Sequence, residues 1–138
     1  MTQWLGLIIL SACLALGGGL PALAADVSQK VREANERAAR DYLKEGLLEA
    51  GEGRDTRAAA AFRRAIGIRP DWAEAHSLLG SALARSGNLR EAEEELRKAV
   101  TLKPDYAEGW YYLGQFLQDR GKDKEAQEAF GKARQYSR

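Results

Sequence analysis

The stretch AEAHSLLGSALARSGNLREAEEELRKAVTLKPD, residues 73–105, is followed from residue 107 by AEGWYYLGQFLQDRGKDKEAQEAFGKARQYSR. The two stretches repeat with one fixed period, which is the spacing from Gly80 to Gly114 and also from Ala92 to Ala126. Apolar residues recur at helical spacing within each period, and no proline occurs between positions 71 and 103. Each period is therefore predicted to form two helices.

The first helix of each period carries a repeated start signal. Asp71 with Glu74, and Asp105 with Glu108, have the spacing of a capping box. The first helices are therefore expected to begin at these aspartates.

The repeated residues resemble the tetratricopeptide repeat (TPR), whose pattern is Trp-x2-Leu-Gly-x2-Tyr, then Ala-x3-Phe, then Pro within one period. The resemblance implies an all-α fold, a short α-solenoid of about three helix-turn-helix units. We expect a helical extension over 25–38, a degenerate first unit over 39–72, a second unit over 73–106 and a third over 107–138. The expected structural core comprises Ala58, Phe62, Ala65, Pro70, Leu79, Gly80, Leu83, Ala92, Leu96, Ala99, Pro104, Trp110, Leu113, Gly114, Leu117, Ala126, Phe130 and Ala133.

The first helix of the first unit fits the repeat in two ways. Without an insertion, Gly46 takes the small position, and Glu45 and Glu49 fall at core positions, where unpaired charges are costly. With two extra residues in the turn, Leu43 and Leu47 enter the core, Gly51 becomes the turn glycine and Lys44 takes the small position. We favour the insertion.

Partner binding in this family is held by the concave face that the first helices line. On the favoured alignment the resemblance places there Asp41, Glu45, Leu48, Glu74, Ser77, Ser81, Arg85, Glu108, Tyr111, Gln115 and Gln118. This groove is expected to be acidic. Trp110, Tyr111 and Tyr112 cannot all face inward on one helix, so at least one should be accessible, and Tyr111 is the preferred peptide anchor.

Related repeats that hold chaperone C-termini use a clamp of Lys, Asn and Arg side chains. The corresponding places here hold Leu78, Glu108 and Tyr112, so that activity is not implied.

No catalytic, metal or cofactor site is predicted. The single histidine, His76, stands at the aromatic repeat position and is expected to be a buried packing residue. Basic residues on the second helices alternate with Glu93, Glu94 and Glu95, which favours a solvated face laced with salt bridges. The net charge of +1 gives no support for nucleic-acid binding.

Positions 1–25 contain no Asp, Glu, Lys or Arg, and every charged side chain follows them. An apolar run over 4–16, a glycine break and small residues up to Ala24 are typical of a signal peptide at positions 1–24. Lipidation at Cys13, or an uncleaved anchor, are the alternatives. Each predicts export of the remainder, most simply to the periplasm.

The final helix carries Ala126, Ala129, Ala133 and Tyr136 on a stripe expected to be exposed, because the solvating helix common in resembling proteins has no counterpart before Arg138. Self-association through it is one hypothesis. The main hypothesis is an exported, non-enzymatic adaptor that binds another protein or an extended peptide. A membrane-tethered envelope assembly factor, resembling pilotin-like lipoproteins, is the alternative.

Overall fold

The computed structural model describes residues 19–138, which form six α-helices and no strand. The helices are α1 (Gly19–Gly51), α2 (Asp55–Ile68), α3 (Ala73–Arg85), α4 (Leu89–Leu102), α5 (Ala107–Asp119) and α6 (Asp123–Tyr136). This confirms the predicted all-α fold. The leader up to residue 18, with Cys13 and the apolar run, lies outside the described residues, and Ala24 lies within α1.

The chain divides into two compact units, one ending at Asn35 and one covering Glu36–Arg138. Within the second unit, α3 packs against α4 and α5 against α6, while α3 also contacts α2 and α5 contacts α3 and α4. Successive hairpins therefore stack, as the sequence period predicts. No helix within residues 19–138 has both the length and the apolar composition that crossing a bilayer requires.

Glycine allows the two helices of a hairpin to touch. A Cβ added to Gly80 would lie 2.6 Å from Leu96 Cγ, and one added to Gly114 would lie 2.7 Å from Phe130 Cε1. Real carbon atoms do not approach so closely, so no larger residue fits unless the partner moves. The close approach buries Leu96 to 1% exposure, which contributes about 1.5–3 kcal/mol of hydrophobic stabilisation.

The first hairpin repeats this contact and shows that the favoured insertion is wrong. A Cβ on Gly46 would lie 2.6 Å from Phe62 Cδ1, so Gly46 and not Lys44 is the small residue. The turn glycine is Gly53, with φ +73°, and not Gly51, which ends α1. Gly46 and Gly53 stand one full period before Gly80 and Gly87, so no residue is inserted.

The acidic residues that argued against this alignment are not buried. Glu45 is exposed and Glu49 is half-buried beside Arg54, with which it forms an ion pair. Leu79 and Leu83, their counterparts one period later, are buried in the core on α3, which packs against α2. Among the described residues, the equivalent side of α1 has no such neighbour, so charges there stay hydrated.

The starts of α3 and α5 correct the capping-box prediction. These helices begin at Ala73 and Ala107, and their N-caps are Trp72 and Tyr106, without a side-chain cap bond. The aspartates therefore lie in the preceding turns.

Three groups of the expected core and end-face residues need a separate account. Pro70 and Pro104 are exposed turn residues and do not belong to the core. Trp110 and Phe130 are half-buried. The alanine stripe on α6 is not exposed, because Ala126, Ala129 and Ala133 lie buried on the face that packs against α5; only Tyr136 of that stripe is open to solvent. The structure buries the remaining predicted core residues: Ala58, Phe62, Ala65, Leu79, Gly80, Leu83, Ala92, Leu96, Ala99, Leu113, Gly114, Leu117, Ala126 and Ala133.

Candidate protein-interaction grooves

A groove crosses the first helices of the three hairpins, α1, α3 and α5. It consists of two adjoining hollows of about 450 and about 210 Å³. Both are lined by Ser81, Arg85 and Tyr112. We call this surface the first-helix groove and define it by Leu47, Leu78, Ser81, Arg85, Tyr112, Gln115 and Asp119.

Tyr112 holds the central place in this groove. Its half-buried ring lines both hollows and lies edge-on to Tyr111, with the ring centroids 6.1 Å apart. Leu78, which stands one period before Tyr112, is also half-buried, so the groove floor is apolar there. A groove with an aromatic floor and polar walls is suited to an extended chain carrying apolar side chains.

The charge of the first-helix groove differs from the acidic surface that was expected. Arg85 donates a hydrogen bond from Nε to Asp55 Oδ1 at 2.7 Å, and Asp119 occupies the place equivalent to Arg85 in the third hairpin. One cation and one anion thus line it. The expected acidic side chains of the first unit are elsewhere, since they depended on the wrong alignment.

The predicted groove residues fall into several places. Ser81, Arg85 and Gln115 line the first-helix groove. Glu74 and Gln118 are exposed outside its lining. Asp41, Glu45 and Leu48 are also exposed outside it, and the alignment that placed them there is corrected: the equivalents of Glu74, Ser77, Ser81 and Arg85 are Arg40, Leu43, Leu47 and Gly51.

Ser77 is a further correction, because it is fully buried. Its hydroxyl donates to Glu74 O at 2.9 Å and cannot meet a partner. The ring of Tyr106 also lies over Gly109, where an added Cβ would come within 2.6 Å of Cδ1. Burial raises the pKa of the Tyr106 hydroxyl, and the nearby Ser77 hydroxyl offsets part of this rise. Tyr106 therefore closes the space above Ser77.

A second groove lies between α5 and α6, with a volume of about 370 Å³. We call it the C-terminal groove; it is lined by Ala107, Glu108, Tyr111, Tyr112, Phe130, Ala133, Arg134 and Ser137. The rings of Tyr111 and Phe130 lie 5.7 Å apart between centroids. Tyr111 is 48% exposed, which confirms that one of the three consecutive aromatic residues is accessible. It faces this groove, whereas the neighbouring Tyr112 borders both grooves.

His76 is a packing residue, as predicted, and is 1% exposed. Its Nε2 donates to Pro70 O at 2.8 Å, and its Nδ1 lies 2.5 Å from Glu95 Oε2. Glu95 is therefore half-buried against the imidazole, although the sequence placed it on the solvated face. Within residues 19–138 no cluster of three His, Cys, Asp or Glu side chains could hold a metal ion.

The outer face of the second helices carries salt bridges, as predicted, and two of them join successive hairpins. Arg63 binds Glu91 at 2.6 Å, and Arg97 binds Glu125 at 2.7 Å. The two partners have the same sequence separation in both pairs, and the second pair repeats the first one period later. Arg63 and Arg97 are thus each paired with a carboxylate of the next hairpin.

Comparisons with known proteins agree with this architecture. Residues 80–121 match the sequence model of the TPR repeat. Similar solved structures include the Sgt2 TPR domain from Aspergillus fumigatus, at 24% identity over 72% of this chain and 66% of that chain, with a TM-score of 0.69. The second TPR domain of Spaghetti (RPAP3), bound to the HSP90 peptide SRMEEVD, is similar at 21% identity over 75% and 95%, with a TM-score of 0.69.

MamA is similar over a larger share of this chain, 88%, and over 71% of its own, at 24% identity and a TM-score of 0.66. This chain spans slightly less than two thirds of the Sgt2 domain chain. No curated protein sequence matches. At these identities the likeness defines the fold, and the fold is that of a TPR-type helical repeat.

Proposed function

We propose that the chain is a non-enzymatic protein-interaction adaptor that binds an extended peptide segment of a partner in the first-helix groove. The observation that carries this proposal is the position of Tyr112, whose ring borders both hollows between Leu47 and Gln115. A rigid tyrosine at the centre of a groove is a typical anchor for a peptide side chain. The known complex of a similar domain with an HSP90 peptide supports a peptide as ligand.

The partner we propose is not a chaperone C-terminus. A peptide carboxylate needs cations, and the places where related domains hold them carry Leu78, Glu108 and Tyr112. Glu108 is exposed and would repel a carboxylate. The apolar floor instead favours an internal segment with aliphatic or aromatic side chains, flanked by groups that bond Ser81 and Gln115.

The test is a selection of peptides from a displayed random library against the chain, followed by calorimetric titration of a selected peptide. Tyr112→Ala is expected to weaken binding by about 30-fold, the loss typical of a central aromatic anchor. Ser81→Arg, which fills both hollows, should weaken it also. Arg90→Ala on the outer face, with its side chain 90% exposed, is the matched control and should bind as the wild type does.

Circular dichroism establishes that each variant keeps its helices. Equal affinity of Ser81→Arg and the wild type would contradict binding in this groove.

We further propose that the adaptor is exported to the periplasm after cleavage at Ala24. The absence of charged side chains from positions 1–25 supports this. The mass of the intact mature protein tests it, since a product starting at Ala25, a product with lipidated Cys13 and an uncleaved chain differ by large amounts. A lipidated Cys13 would favour the membrane-tethered assembly factor.

A further inference from the structure

The C-terminal groove corresponds to a surface that a packed helix covers one hairpin earlier. Ser77 and Val100 stand one period before Tyr111 and Arg134 and are exposed by only 0% and 6%. They are covered there because α5 packs on α3 and α4. Tyr111, in contrast, is 48% exposed, and Arg134 is exposed as well. The groove thus has the form of a docking surface for one helix.

The packing of α5 over the equivalent surface indicates which residues a covering helix would present. Its buried residues are Gly109, Leu113, Gly114, Phe116 and Leu117, of which Gly109, Leu113 and Phe116 have the spacing i, i+4, i+7. A helix that packs in the same way would present small or apolar residues at this spacing.

A stripe with this spacing lies on α1, in the unit that ends at Asn35. Val27 and Val31 are 52% and 53% exposed, and Ala34 is exposed beside them. Lys30 and Asp26 lie next to the stripe and form an ion pair at 2.8 Å, and the groove also carries one charge of each sign, Glu108 and Arg134, so opposite charges can meet across the contact. The stripe thus leaves apolar surface on one helix face that a partner helix can cover.

The later part of α1 does not suit the C-terminal groove. Asp41 and Glu45 stand one period before Ala75 and Leu79, which are buried residues of α3. Both carboxylates are exposed, and the rings of the groove would remove their hydration, with one cation, Arg134, in the lining for two carboxylates. A second copy therefore cannot simply continue the stack through this side of α1.

We propose that the Val27, Val31 and Ala34 stripe of one copy docks in the C-terminal groove of a second copy. The contact joins two different surfaces, so it is heterologous and can add further copies. A single helix in a groove buries less than about 1,200 Å², which is typical of weak complexes. Association is therefore concentration-dependent.

Sedimentation equilibrium of the full chain tests the proposal at protein concentrations from micromolar to millimolar. The wild type should increase in mean mass with concentration. Val27→Glu/Val31→Glu alters only the stripe, and Tyr111→Glu alters only the groove; each should stay monomeric. Leu48→Glu, at a site 61% exposed and outside both surfaces, is the matched control and should associate as the wild type does.

Mixing the two variants identifies the surfaces. The Tyr111→Glu copy keeps its stripe and the Val27→Glu/Val31→Glu copy keeps its groove, so the mixture should form a dimer of one copy of each and nothing larger. A wild type that is monomeric throughout, association that survives in either variant, or a mixture without dimers would each overturn the proposal. If the groove instead binds a helix of another protein, the wild type should be monomeric at every concentration.

Discussion

His76 and Trp110 stand one period apart and make the same hydrogen bond with different rings. His76 Nε2 donates to Pro70 O at 2.8 Å, and Trp110 Nε1 donates to Pro104 O at 2.7 Å. In both hairpins the ring ties the first helix to the proline turn before it. Two different rings therefore place an N–H donor at the same point of the repeat.

The buried imidazole makes a second contact, which gives the first prediction. Glu95→Ala leaves His76 Nδ1 without a partner at a site 1% exposed, and should lower the free energy of unfolding by about 1–3 kcal/mol. Glu95→Gln, which can donate its amide N–H to that nitrogen, should lose less. Urea unfolding of both variants measures this. Equal midpoints for the wild type and Glu95→Ala would show that the contact adds no stability.

Substitution by alanine should distinguish the glycines at which two helices touch from other glycines within helices. Gly80→Ala places a methyl group against Leu96 and the carbonyl of Ala92, and should destabilise the chain by about 1–3 kcal/mol through overpacking. Gly131→Ala, in α6 with open space around the added Cβ, should instead stabilise it by about 0.5–1 kcal/mol. Thermal and urea unfolding of the two variants measure these changes in stability. Destabilisation of the same size at both sites would contradict the assigned helix contact.

The register of the first hairpin is tested at two neighbouring glycines. Gly53 has φ +73°, where a Cβ is strained, so Gly53→Ala should cost about 1–2 kcal/mol. Gly51→Ala, at the end of α1 with open space around it, should be neutral or stabilising by about 0.4–1 kcal/mol. The opposite order of unfolding midpoints would restore the register with two inserted residues.

Glu93 makes stability depend on pH. Burial raises the pKa of Glu93, but hydrogen bonds from Lys122 and Arg97 outweigh it, and the pKa lies below the ordinary value of 4.5. A carboxyl whose pKa is lower in the folded state stabilises the fold above its ordinary pKa, and the contribution is lost as the pH falls through the folded value. Glu93→Gln should therefore destabilise the chain at pH about 7 and destabilise it less near pH about 2.

Urea unfolding at both pH values measures this effect. Glu94→Gln is the matched control, because the Glu94 side chain is 61% exposed and its ion pair with Arg90 spans 3.6 Å. An exposed pair of this kind contributes little. An effect of Glu93→Gln that is the same at both pH values would show that charge is not its cause.

Much of the fold could be predicted because period and helical spacing are local properties of the sequence. They placed Gly80 against the second helix and His76 in the core. The predicted alignment of the first unit was wrong, because the energetic cost of placing Glu45 at a core position depends on whether another helix covers it. The local sequence pattern does not indicate whether such a helix is present. In the register without an insertion, Leu47 stands one period before Ser81, and Asp119 stands one period after Arg85. The repeat alone would therefore have placed Leu47 and Asp119 in the first-helix groove. Ser77 and Glu95 could not be placed, because the residues around them come from helices distant in sequence.

Nuclear magnetic resonance of the nitrogen-15-labelled chain, titrated with a peptide selected from the displayed library, tests peptide binding most directly. Binding in the first-helix groove predicts amide shift changes concentrated at Ser81, Tyr112 and Gln115, and their loss in Ser81→Arg. Changes confined to the outer face around Arg90 and Glu94, with the groove residues unmoved, would contradict it.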